Sequence, residues 1–182
     1  MARICCVTQS ATYQGSLDLQ STSGQQMRLL DALNTPQRLQ KPATLGETSL
    51  FLEGGVRKDH RSGRVETFDE VAIRLPLVLA AYELALDAQS EDQRVAAMKD
   101  ITRYEQQRSA QAQREEVTAY LPNGWRVQGH VTPSRQVLHE SRTSRPFVPI
   151  LDVTIHDPVV DGNPKSFPFL AVNIRRIEAL GS

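Results

Sequence analysis

The chain has 182 residues, of which 21 are basic and 21 acidic, giving a formal net charge of zero and a near-neutral isoelectric point. That balance argues against a general polyanion binder, and the length allows one domain or two small ones. No stretch approaches the ~18–20 apolar residues of a membrane-spanning helix, so no membrane partner is expected.

The N-terminus, MARICCVTQS, carries one Arg and a very short apolar run and does not read as a signal peptide. Residues 3–8 are β-prone. The only two cysteines, Cys5 and Cys6, are neighbours and so point to opposite faces of a strand; they read as free thiols in a reducing cytoplasm, with no further Cys to complete a zinc set. After a turn at Ser10–Thr12, residues Thr12 to Leu19 alternate as a half-buried strand does, with Tyr13, Leu17 and Leu19 on one face. Ser21–Gly24 is a turn cluster, and Gln26–Asn34 reads as a strand running into a short helical turn that stops at Thr35-Pro36. Leu45–Glu53 is a strand ended by Gly54-Gly55, Asp59–Gly63 a charged hairpin tip, and Phe68–Arg74 the next strand. Leu75–Leu86 reads either as a buried strand after Pro76 or as an early start to a helix.

Ser90–Glu116 holds no Gly or Pro and is rich in Gln, Arg, Glu and Ala, which predicts a long helix. Ser90 with Gln93 forms a capping box, and Glu91 and Asp92 place negative charge on the first turn. Val95, Met98, Ile101 and Tyr104 recur every three residues as a narrow apolar stripe, the expected helix interface for a module or a second subunit.

Beyond it, Glu116–Leu121 is a strand, and Asn123-Gly124 signals a tight type I′ hairpin. Trp125–Val131 returns, with Trp125, Val127, Gly129 and Val131 on one face. A turn at Pro133-Ser134, a short run Gln136–His139 and a polar loop Ser141–Arg145 lead into the long β run Phe147–His156. Asp161–Pro164 is a turn, Phe167–Ile174 the last strong strand, and Ile177–Leu180 a short edge.

The two β segments share an order. Tyr13-Gln14-Gly15 sits where Val127-Gln128-Gly129 sits. Met27–Asn34 precedes Pro36 as Arg135–Arg142 precedes Pro146, and Phe68–Ile73 matches Phe167–Val172. The first copy is longer between its third and fourth strands. Gly inside the second strand marks a bend or close backbone approach, as barrel corners need. This predicts a tandem duplication: a mostly β fold with an N-terminal small barrel over residues 1–86, a helical linker over 87–116 and a C-terminal small barrel over 117–182.

The C-terminal copy carries Asn123-Gly124, Gly129, Phe147-Val148-Pro149-Ile150-Leu151-Asp152 and Phe169-Leu170-Ala171-Val172-Asn173 with Ile177. In this order it resembles a group of uncharacterised bacterial small-barrel domains of SH3-like or Sm-like plan, which implies that fold and no particular activity. The likeness to Sm proteins is confined to Gly15-Ser16-Leu17. Where their Asp-x-x-x-Asn loop should follow, the chain has Ser23-Gly24-Gln25-Gln26-Met27, so no RNA-contacting residue carries over.

Chemistry-bearing clusters are sparse. Asp152, His156, Asp157 and Asp161 could approach a divalent ion, but nothing fixes a further ligand and the group reads as a strand ending in an acidic turn. His130 and His139 have no Ser or Cys placed to make a nucleophile pair. Trp125, His130, Arg142, Arg145, Arg175 and Arg176 form the candidate nucleic-acid face, aromatics among arginines. The sequence therefore predicts no enzyme, cofactor or metal. It predicts a structural or scaffold protein that self-associates or binds a protein partner through barrel edges and the linker helix, with an Sm-like RNA-binding module using the C-terminal Arg-rich face as the alternative.

Overall fold

The computed structural model describes residues 1–36, 39, 48–84, 114–131, 145–156 and 165–181. The N-terminal half supplies β1 (Ala2–Thr8), β2 (Ala11–Leu17), the helix α1 (Leu29–Asn34), β3 (Ser49–Asp59), β4 (Val65–Arg74) and β5 (Val78–Glu83). The C-terminal half supplies β6 (Glu115–Leu121), β7 (Trp125–Val131), β8 (Phe147–His156), β9 (Lys165–Asn173) and β10 (Ala179–Gly181). A 3₁₀ turn precedes the last strand of each half, Leu75–Leu77 before β5 and Ile174–Arg176 before β10.

All ten strands belong to one antiparallel sheet, in the order β10-β6-β7-β8-β9-β5-β1-β2-β3-β4. This corrects the expectation of two small barrels joined by a long helix. The sheet does not end at the boundary between the halves, because β5 pairs with β9 through Ala80↔Val172 and Ala81↔Ala171. Among the described residues the one α-helix is α1, six residues long. Of the predicted helix Ser90–Glu116, residues 90–113, including Val95, Met98, Ile101 and Tyr104, lie outside the described residues, while Glu115 and Glu116 already belong to β6. No described helix is long and apolar enough to cross a membrane.

Two apolar cores lie on the sheet, and the central strands feed both. On β1, Cys5 and Val7 pack with Val117, Val127, Ile150 and Leu170, whereas Ile4 and Cys6 pack with Leu17, Leu33, Leu50 and Leu52. The neighbouring cysteines thus sit in different cores, both fully buried and neither in a disulfide. A strand covered on both faces needs an unbroken apolar run, which is why ICCV shows no alternation. β7 packs on one face only and alternates strictly, with Trp125, Val127, Gly129 and Val131 buried. In α1, Leu29, Ala32 and Leu33 fall at i, i+3 and i+4 and turn one stripe to the core. The helix stops at Thr35, whose amide and hydroxyl both donate to the Asp31 carbonyl, just before Pro36.

The halves repeat one topology: each runs last strand, first, second, third, fourth across the sheet. They also repeat one irregularity. The β2–β3 register slips between Gln14 and Ser16, and the β7–β8 register slips between Gln128 and His130. In each case the opposite strand carries the extra residue in a left-handed conformation, Gly54 at φ +49° and Asp152 at φ +50°. A glycine at each bulge approaches the partner backbone closely, Gly55 on the bulged strand itself and Gly129 on the strand that faces the bulge, while Val153 stands where Gly55 does. A Cβ on Gly55 would lie 1.9 Å from the Gln14 carbonyl oxygen, and one on Gly129 would lie 2.6 Å from the Leu151 carbonyl oxygen.

Three local readings change. Gly54-Gly55 does not end the third strand; it is a bulge inside β3, which continues to Asp59. Asn123-Gly124 does mark a hairpin, but Leu121 pairs with Trp125 across the three-residue 3₁₀ turn Pro122–Gly124, not a two-residue type I′ turn. The first copy's extra length lies between its second and third strands, from Leu17 to Ser49, against Val131 to Phe147 in the second. Of Leu75–Leu86, the described part is a 3₁₀ turn followed by strand up to Glu83, and residues 85 and 86 lie outside the described residues.

Candidate functional site

The features of this chain that can engage another molecule follow from how its halves engage each other. Beyond the β5–β9 pairing, side chains of the described residues reach across at several places. Asn34, at the end of α1, donates from Nδ2 to the Phe147 carbonyl and accepts the Phe147 amide at Oδ1, both at 2.9 Å. Asn173 is buried; its Nδ2 donates to the Val78 carbonyl at 2.9 Å, while its Oδ1 accepts the Arg175 amide and so caps the 3₁₀ turn. Arg176 Nε donates to the Pro76 carbonyl at 2.7 Å, tying one 3₁₀ turn to the other. The His60 ring stacks on Trp125 at 5.9 Å between centroids, with 27° between the planes.

His60 reaches Trp125 because the β3–β4 hairpin tip is held rigidly. The Asp59 carboxylate accepts the Arg61 and Ser62 amides and the Ser62 hydroxyl at 2.8–3.1 Å, and Arg57 pairs with its other oxygen at 3.1 Å. The Ser62 donors, with Arg57, hold the Asp59 carboxyl down at about 2. The His60 ring is fixed further by Thr12 Oγ1, 2.8 Å from its Nε2. On the core that also holds Trp125, Tyr82 tilts against Phe167 at 4.4 Å, and burial, then the Cys5 thiol, pushes its phenol well above the usual range. Burial, then Cys5, likewise drives the Cys6 thiol far above the ordinary thiol range.

Of the residues proposed for a nucleic-acid face, Trp125 and His130 are not brought together. Trp125 and His130 lie five residues apart on β7 and therefore point to opposite sides of the sheet. Trp125 is buried, with His60 occupying the ring face that a base would stack on. His130 is half-buried, and its Nδ1 has no hydrogen-bond partner. Arg145 and Arg175 are exposed, Arg176 is half-buried on Pro76, and Arg142 lies outside the described residues, as does His139. The acidic group is also separated: Asp152 pairs with Arg114 at 3.4 Å, His156 bonds Gln128 at 3.1 Å, and Asp157 and Asp161 lie outside the described residues. Among the described residues, no three His, Cys, Asp or Glu side chains are grouped to hold a metal ion. A hollow lined by Leu17, Asp18, Leu39, Phe51 and Glu53 encloses about 10 Å³, no more than one water.

What the fold leaves open is its edges. Among the described residues, β4 runs for ten residues with β3 as its only strand partner, and β10 pairs only with β6. Both present backbone donors and acceptors along one side, the arrangement through which a sheet takes on another strand. Edges were expected as interfaces, but which strands form them was not legible, because an edge strand and a paired strand read alike in sequence. The one available signal, the run of charges Glu66, Asp69 and Glu70 on β4, is what edge strands carry against indiscriminate pairing. No family model, curated protein or solved structure matches the chain.

Proposed function

We propose that the protein is a non-catalytic structural protein that self-associates through the free edges of its sheet. The observation that carries this reading is the joint between the halves. A fourth-type strand, β9, already accepts a fifth-type strand, β5, and the described sheet ends on one strand of each kind, β4 and β10, each with a strand neighbour on one side. Support also comes from exposed apolar side chains near those ends, Val65 on β4 and Tyr120 beside β10. A strand added to an edge gains a ladder of backbone hydrogen bonds without requiring a pocket. Light scattering over a wide concentration range tests the reading. The mass is expected to rise above 20.3 kDa as concentration increases; 20.3 kDa throughout would contradict it.

A further inference from the structure

We propose that copies of this chain join head to tail, the C-terminal end of β4 in one copy pairing with β10 of the next, in the register that joins the halves within the chain. The proposal rests on the self-association reading and adds which edges meet and how.

The register follows from the repeat. Gly15 lies opposite Ile4 as Gly129 lies opposite Val117, so Cys6 and Ala119 are equivalent positions. Cys6 pairs with Ala81 and Ala119 pairs with Leu180, which makes Leu180 the counterpart of Ala81 and Ala179 that of Ala80. On the other strand type, Gly55 pairs with Phe68 and Val153 with Phe167, so Ala72 corresponds to Ala171 and Ile73 to Val172. The internal joint sets Ala80 opposite Val172 and Ala81 opposite Ala171. Carried outward, the same joint sets Ala179 opposite Ile73 of the next copy and Leu180 opposite its Ala72.

Exposure agrees with this assignment. Val7 is 2 % exposed where the C-terminal half covers it, while its counterpart Tyr120 is 43 % exposed. Ala171 and Ala80 are buried; their counterparts Ala72 and Ala179 are exposed. The outer ends thus keep apolar side chains where the inner joint is dry, and a covering strand would remove them from water. The acidic residues of β4 stop at Glu70, leaving Ala72 and Ile73 clear for pairing. The outer joint is less apolar than the inner one, because exposed Glu178 stands where buried Leu79 stands inside, so the contact is reversible. Since β4 and β10 are different surfaces, the contact is heterologous: each added copy leaves one free edge of each kind, giving rings or filaments instead of a closed dimer.

Site-directed cross-linking tests this. Chains carrying Ala72→Cys are mixed with chains carrying Leu180→Cys and oxidised; the native Cys5 and Cys6 are buried and do not compete. Covalent dimer is expected about tenfold above a mixture of Thr67→Cys with Leu180→Cys, because five residues along β4 are ~17 Å, beyond disulfide reach. If Leu180→Cys does not fold, Val71→Cys with Gly181→Cys, one rung further along, replaces the pair. An assembled protein that links Ala72→Cys to itself across a two-copy contact would overturn the head-to-tail joint and leave self-association standing. A monomer with no cross-link of either kind would overturn both.

Discussion

The bulge in β3 separates two kinds of glycine, and substituting each by alanine measures them separately. At Gly55 the new Cβ would meet the Gln14 carbonyl oxygen at 1.9 Å and Phe68 Cζ at 2.8 Å. The phenyl tip can swing aside; the carbonyl belongs to β2 and moves only with its backbone. Overpacking of this kind costs about 1–3 kcal/mol, and displacing the β2–β3 ladder adds about 1 kcal/mol for each hydrogen bond disturbed, so Gly55→Ala should cost about 3 kcal/mol. At Gly54 there is nothing within 4 Å of a Cβ, but φ is +49°. A left-handed alanine costs about 1–2 kcal/mol, partly offset by about 0.4–1 kcal/mol from the stiffer unfolded chain, so Gly54→Ala should cost about 1 kcal/mol. Urea unfolding followed by circular dichroism reads both. With a slope of about 1–3 kcal/mol per molar, the Gly55 variant loses about 1–3 M in midpoint and the Gly54 variant under about 1 M. A Gly54→Ala loss equal to or larger than that of Gly55→Ala would refute the assignment of steric contact to one residue and backbone conformation to the other.

Three further outcomes follow from the contacts between the halves and from the hairpin tip. Asn34→Ala removes a two-way bond to Phe147 and leaves that backbone unpaired, so chemical denaturation should show a loss of about 2–3 kcal/mol. Asp59 has its folded pKa depressed to about 2 from the ordinary 3.8, so its contribution to stability is complete above about pH 4 and is lost as pH falls towards 2. Thermal melts of Asp59→Asn between those limits should therefore be flatter with pH than those of the unaltered chain. Trp125 is the single tryptophan and His60 covers one face of its ring. His60→Ala should shift its fluorescence emission to the red, and an unchanged spectrum would show that the stack does not shield the ring.

Much of the strand pattern was legible because one-sided strands announce themselves by alternation. β7 and β8 have the bounds read from sequence, and Tyr13, Leu17 and Leu19 join one core as expected. The duplication alignment of Phe68–Ile73 with Phe167–Val172 coincides with the register equivalence of β4 and β9. What sequence did not convey is which strands meet across the halves. Ala80-Ala81 and Ala171-Val172 carry no more pairing information than any small apolar dipeptide, and that contact turns two β segments into one sheet. Gly54-Gly55 read as a terminator because a bulge glycine and a turn glycine look the same locally; only Gln14 on the facing strand distinguishes them. Trp125 looked like a stacking platform because nothing nearby in the chain covers it. Its cover, His60, comes from a hairpin tip in the other half, on a loop fixed by Asp59.

The head-to-tail joint is tested most directly by backbone hydrogen exchange on the unaltered chain at low and high concentration. Raising the concentration should slow exchange at Ala72-Ile73 and at Ala179–Gly181 together, and leave Glu66–Glu70 unchanged. Exchange at both edges that does not depend on concentration, or protection of β4 without β10, would contradict it.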